Sequence, residues 1–167
     1  MIFVVEMELV GVRLELPANA PIVLLRESSG ARRVLPIYIG GPEAAAIAYA
    51  LENVQVPRPL THDLLRNVLD ELGAQARRVV VTELRDHTFY AEIELVVGKS
   101  THRVSSRPSD AIALAVRTGT PIFAEEQVLD EAGQTAAEVS DDAEEESEEL
   151  VDEFREFIEH VSPEDFG

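Results

Sequence analysis

The first twelve patterned positions of the chain alternate. Val5, Met7 and Leu9 are apolar against Glu6 and Glu8, and then Val12, Leu14 and Leu16 are apolar against Arg13 and Glu15. A period of two predicts a strand buried on one face, and the change of phase at Val10-Gly11 predicts a β-bulge there. Residues 22–25 and 34–39 are short apolar runs, which predict two buried strands joined around Ser29-Gly30. The period then changes. In GGPEAAAIAYALEN, Ala44, Ile47, Ala48 and Leu51 share one helical face. Pro42 suits the first turn, and Glu43 sits where the helix dipole favours an anion. VQVPRPL is barred from helix by Pro57 and Pro59. THDLLRNVLDELG predicts a second helix with Thr61 as N-cap and Asp63 in the first turn. Leu64, Leu65, Val68, Leu69 and Leu72 are expected to face the core, and Gly73 to end the helix.

Residues 77–97 predict a hairpin around Asp86-His87-Thr88, because Phe89, Ala91, Ile93, Leu95 and Val97 alternate cleanly after it. A weaker strand follows at 102–105. SRPSDAIALAVRTG then predicts a third helix, with Ser106 as cap, Pro108 near its start and Gly119 at its end, before a short strand at 121–123. This order predicts an α+β fold in which helices cover a mixed, largely antiparallel sheet. A short helix is expected at 125–132 and a solvated acidic linker at 138–149. Leu150, Phe154, Phe157, Ile158 and Val161 fall at helical spacing, which predicts a terminal amphipathic helix. The predicted organisation is a domain at 1–132, a linker at 133–149 and a helix with its tail at 150–167.

Charge sharpens that division. The 167 residues carry a formal charge of −18, but residues 1–123 hold 13 Lys/Arg against 14 Asp/Glu. Past them, Arg155 stands alone against 18 acids. A nearly neutral body therefore carries an acidic extension, and bulk charge excludes a strongly basic nucleic-acid binder. The absence of cysteine removes disulfides, thiolate ligands and cysteine nucleophiles. Four scattered histidines make no zinc site without it, so a metal would be Mg²⁺ or Mn²⁺ on carboxylates. The apolar N-terminus lacks a basic n-region and is broken by Glu6 and Glu8. It reads as neither signal peptide nor membrane span, which makes the cytoplasm the expected location and the membrane no partner.

The polar residues with chemical capacity gather at three helix starts: Glu43 behind Gly40-Gly41-Pro42, Arg58 to Asp63, and Arg107 to Asp110. Helix N-termini offer unpaired N–H groups to anions, and Arg58 and Arg107 supply guanidinium forks that grip phosphate. His62 is the histidine nearest this cluster and can serve as general base, as ligand or as a cap. Each residue also has a plain structural use. Glu43, Asp63 and Asp110 are acids in first turns, where the dipole alone rewards them, and Arg107–Asp110 has ion-pair spacing. Ser106 and Ser109 are helix-capping residues as much as phosphate contacts, since no Gly-x-Ser-x-Gly elbow surrounds them.

LPIYIGGPEAAAIA, PRPLTHDLL, TFYAEIEL and RPSDAIALAVRTGTPIF, in this order and spacing, resemble the bifunctional nuclease domain family. FREFIEHVSPEDF is similar to the C-terminal stretch of its actinobacterial members. The resemblance spans residues 5–132 and the last helix. It implies a compact α+β domain, a homodimer, and nuclease activity on DNA and RNA. The family's motif residues fall here on Glu43, Arg58, Pro59, Thr61, His62, Asp63, Arg107, Pro108, Ser109 and Asp110. The pattern departs at Ser105, where many members have an acid, and this bears on any metal that acid would hold. The expected catalytic set is His62, Asp63, Glu43 and Asp110, with Arg58, Arg107 and Ser109 as nucleic-acid contacts. The competing reading is a non-catalytic dimeric module whose acidic tail engages a protein partner.

Overall fold

A computed structural model describes residues 1–135, 138, 155, 156 and 158–160. Within them the chain runs β1 (Val4–Glu15), β2 (Ala20–Glu27), β3 (Val34–Tyr38), α1 (Gly41–Leu51), α2 (Thr61–Glu71), β4 (Ala74–Arg85), β5 (Thr88–Val97), β6 (Ser100–Ser106), α3 (Pro108–Thr118), β7 (Ile122–Glu125) and α4 (Glu126–Ala132). The strands form one seven-stranded sheet in the order β3-β2-β1-β7-β4-β5-β6. The fold is α+β, as the pattern of periods predicts. Most of the linker and of the terminal helix lies outside the described residues, although Gln134 at the start of the linker bridges to Val34 of β3.

The bulge falls where the alternation changes phase: the β1–β2 register slips between Leu9 and Gly11. The slip keeps Met7 in the core and Val5, Leu9 and Val12 packed against it, so one strand holds one apolar face across the irregularity. Asp86 and His87 both adopt positive φ, 50° and 62°, the geometry that turns β4 tightly into β5. Thr88 belongs to β5 rather than to the turn.

The short strand β7 joins the two halves of the sheet. It pairs antiparallel with β1, Val5 opposite Ala124, and parallel with β4, Val79 opposite Ile122. A parallel pair requires a crossover, here made through β5, β6 and α3. That crossover buries α3 on nearly every side: Ala111, Ile112, Ala113, Leu114 and Ala115 are all core residues beside Val79, Val81, Leu25 and Ile37. The start of α3 is thereby held against α1 and α2, and this positions the site. At the other end, Arg33 reaches Glu27, Glu126 and Asp130 and ties α4 to the β2–β3 hairpin. Among the described residues no helix is long and apolar enough to cross a membrane.

Three local expectations are corrected. The N-cap of α3 is Arg107 rather than Ser106, whose hydroxyl donates to the Arg107 carbonyl at 2.8 Å. The N-cap of α2 is Leu60 rather than Thr61, and the Asp63 carboxylate accepts from the Leu60 N–H at 3.0 Å. The leucines of α2 do not face the core. Leu64, Val68 and Leu72 are 55%, 45% and 69% exposed, and of that stripe Leu69 alone packs on the cluster. The residue α2 buries is His62. This helix is attached through polar side chains, and its apolar stripe is turned outward.

Candidate functional site

The starts of α1, α2 and α3 meet, and four side chains record the meeting. Arg107 Nη2 donates to Glu43 Oε1 at 2.8 Å, and Arg107 Nε donates to Asp110 Oδ2 at 2.8 Å. The second Asp110 oxygen, Oδ1, lies 2.9 Å from His62 Nε2. The order Glu43–Arg107–Asp110–His62 thus crosses all three helices through one continuous chain of charged hydrogen bonds.

Local sequence explains each position. A Cβ at Gly40 would run into the Glu43 carboxylate, so glycine at this N-cap makes room for the acid to fold back over the start of α1. Pro108 opens α3 without needing an N–H there, which leaves Arg107 as the extended residue whose side chain turns back to Asp110, three positions on. His62 occupies the second helical position of α2, on the face turned toward α3.

The electrostatics follow from that geometry. Burial pushes the Asp110 carboxyl up, but its bonds to Arg107 and His62 outweigh this and hold it below its ordinary value. Asp110 is therefore an acceptor-only carboxylate, and His62 Nε2 must carry the shared proton. His62 Nδ1 makes no hydrogen bond, and no fully buried polar side-chain atom among the described residues goes unpaired, so Nδ1 reaches solvent. The carboxylates of Asp110 and Glu43 hold the Arg107 guanidinium above its usual value. The Arg107 side chain is nevertheless 62% exposed, and its Nη1 is unengaged. The arrangement presents a fixed cation to solvent beside a carboxylate-oriented imidazole.

The other expected site residues lie around this chain rather than in it. Asp63, next to His62 in sequence, points elsewhere: its Oδ1 accepts from Arg117 Nε at 2.7 Å. Arg117 also donates to the carbonyls of Ala113 and Ala46, at 2.8 and 2.9 Å, and so touches α1, α2 and α3 at once. Burial raises the Asp63 carboxyl, while Arg117 and the Leu60 N–H lower it further, leaving it below its usual value. Arg117 escapes the motif reading; its one signal is a lone basic side chain closing the apolar run AIALAV. Ser109 is buried in the first turn of α3. Arg58 is exposed on the segment entering α2 and makes no ion pair among the described residues.

A divalent cation does not fit the four-residue chain as it stands. The Arg107 guanidinium sits between the Glu43 and Asp110 carboxylates, where a metal would need to be, and both Asp110 oxygens are engaged. Among the described residues no group of three or more His, Asp or Glu is placed to hold a metal ion.

Residues 23–137, which include α1 to α4 and every residue named in this site, match the bifunctional nuclease domain family. The chain belongs to that family. A Mycobacterium tuberculosis protein described only as uncharacterized is 45% identical over 166 residues, covering 96% of this chain and 97% of that protein. Bifunctional nuclease 2 of Arabidopsis thaliana is 35% identical over 112 residues, and bifunctional nuclease 1 of the same plant 33% over 108. These alignments take in 64% and 63% of this chain but only 34% and 33% of the plant proteins. What is shared with the plant nucleases is thus the domain, whereas the mycobacterial similarity continues through the acidic extension. In this member of the bifunctional nuclease domain family, the motif residues Glu43, His62, Arg107 and Asp110 form the connected chain, while Asp63 anchors α2.

Proposed function

We propose that the chain hydrolyses phosphodiester bonds of DNA or RNA, with Arg107 on the phosphate and His62 moving the proton. The observation that carries this reading is the Glu43–Arg107–Asp110–His62 chain, which joins three helix starts within a bifunctional nuclease domain. In this scheme the Arg107 Nη1 edge binds a non-bridging phosphate oxygen and meets the charge that builds there as water attacks. His62 Nδ1 takes the proton from that water as its oxygen bonds to phosphorus, then returns it to the departing sugar oxygen. Asp110 holds the ring and stabilises the imidazolium; Glu43 aims Arg107. Arg58 supplies a second phosphate contact from the loop before α2. The nearly neutral body calls for few such contacts, and hence for a shallow dependence of binding on salt.

The test is nuclease activity of the purified full chain carrying Arg107→Ala or Arg107→Lys. Alanine is expected to lower kcat/KM by about 10²-fold, and lysine, which keeps the charge but loses the fork, to recover only part of it. Equal activity in all three proteins would remove Arg107 from the chemistry.

A second reading, a protein-interaction module, is favoured by one observation: α2 turns Leu64, Val68 and Leu72 to solvent as a single stripe. If that stripe pairs two copies, Val68→Glu converts the dimer into monomer by light scattering. The same mass for both proteins would rule out α2 as the dimer contact.

A further inference from the structure

The β1 bulge, the last turn of α1 and the segment after it enclose a groove of about 520 Å³ away from the four-residue chain. Its apolar walls include Val10, Val12, Leu51, Val54, Val56 and Pro57. Ile158 and Glu159 from the C-terminal extension also line it. Arg155 meets Glu52 on its rim, Nη2 to Oε1 at 3.1 Å and Nε to Oε2 at 3.3 Å. These two parallel bonds make a forked pair, the geometry that guanidinium and carboxylate favour.

We infer that this face of the body is a helix-docking surface and that the chain's own C-terminal helix seats on it, closing one side of the groove. Three observations converge. Arg155, Ile158 and Glu159 stand at i, i+3 and i+4, so one helical face carries the groove contacts; Ile158 on that face is half-buried, and Glu156 and His160 are outside the groove lining. In sequence, Ile158 belongs to an apolar stripe at helical spacing, the pattern an apolar groove accepts. The charge is also selective. Arg155 is the one basic residue after residue 123, and it is the residue brought to Glu52.

A forked pair at the surface plus a half-buried isoleucine makes a reversible lock. The groove lies at the C-terminal end of α1, and Glu43 lies in that helix's first turn, so docking leaves the starts of the three helices uncovered. The inference is independent of catalysis.

Amide hydrogen exchange of residues 156–160 in the full chain tests it. Glu52→Arg is expected to speed exchange there about fivefold, since the pair is lost and repulsion replaces it. Arg155→Glu in the same chain is expected to restore the slow rate. Ile158→Asp is expected to speed exchange by about tenfold or more. Rates that ignore Glu52→Arg, or a double variant no slower than the single, would overturn the inference. So would protection that grows with protein concentration, because the occupant would then be a second copy.

Discussion

His62→Ala is expected to slow phosphodiester hydrolysis by about 10²- to 10⁴-fold, the span that a positioned proton-transfer group contributes. The expectation rests on two nitrogens with different surroundings. Nε2 is fixed 2.9 Å from Asp110 Oδ1, and Nδ1 is unbonded and reaches solvent. A ring held this way has one tautomer and one orientation, which a histidine free at the surface lacks. Asp110→Asn is expected to fall in the same range, because an amide can donate where the carboxylate only accepts and so invites the wrong tautomer. His62 is buried, so its loss also affects packing. Turnover must therefore be read alongside urea unfolding, at a temperature where both proteins are folded. The pH profile separates the two roles: loss of the proton-transfer group removes a limb of the kcat/KM curve, and a purely structural role lowers the curve without reshaping it. Unchanged turnover in His62→Ala would end the assignment.

The largest expected loss of stability lies at the ion pair of Arg117 with Asp63, the neighbour of His62 in sequence. Arg117→Leu is expected to destabilise the fold by about 3 kcal/mol, because removing one partner of a buried pair leaves the other charge uncompensated. Arg117 is only 5% exposed at its side chain, and three helices lose a common tie when it goes: Asp63 of α2 and the carbonyls of Ala46 in α1 and Ala113 in α3. The midpoint of urea unfolding measures the loss; a shift below about 1 kcal/mol would show that the tie carries little.

The same pair sets an acid limb. Asp63 has a folded pKa below its ordinary value, so its contribution is fully present above the unfolded-state value of about 3.9 and is lost as pH falls through the folded value. Stability of the native chain is therefore expected to fall with acid below about pH 4. Asp63→Asn lacks that titration, and its stability curve is expected to be flatter in this window even though its plateau is lower.

The contrast between His62 and Asp63 shows how far motif reading reaches. Both belong to PRPLTHDLL, and as neighbours in a string they look like one functional group. About 100° of helical turn separates them, so one meets Asp110 and the other meets Arg117. The string names residues without saying which face the helix presents. Arg117 itself lies in no polar cluster along the chain, and becomes visible only when α1, α2 and α3 are brought together.

The leucines of α2 mislead for a related reason. An amphipathic stripe shows that one face is apolar, and the plain expectation buries it. Here two polar anchors decide the orientation, and the stripe faces out. Where periodicity is tied to covalent geometry the reading succeeds: the β1 phase change marks the bulge, Asp86-His87 marks the hairpin turn, and Pro57 with Pro59 keeps the entry to α2 out of helix.

By itself the sequence determined the alternation of strands and helices, the nearly neutral body with its acidic extension, and the family's residues at three helix starts. These follow from side-chain period, backbone restriction and charge, which are local or additive along a chain. Only the tertiary structure decided that β7 joins the two halves of the sheet, that Arg107 lies between Glu43 and Asp110, that Asp63 belongs to Arg117, and that Arg155 meets Glu52. Each of these pairs residues of different elements, and such pairing is set by how helices pack on the sheet, a relation that no local period encodes.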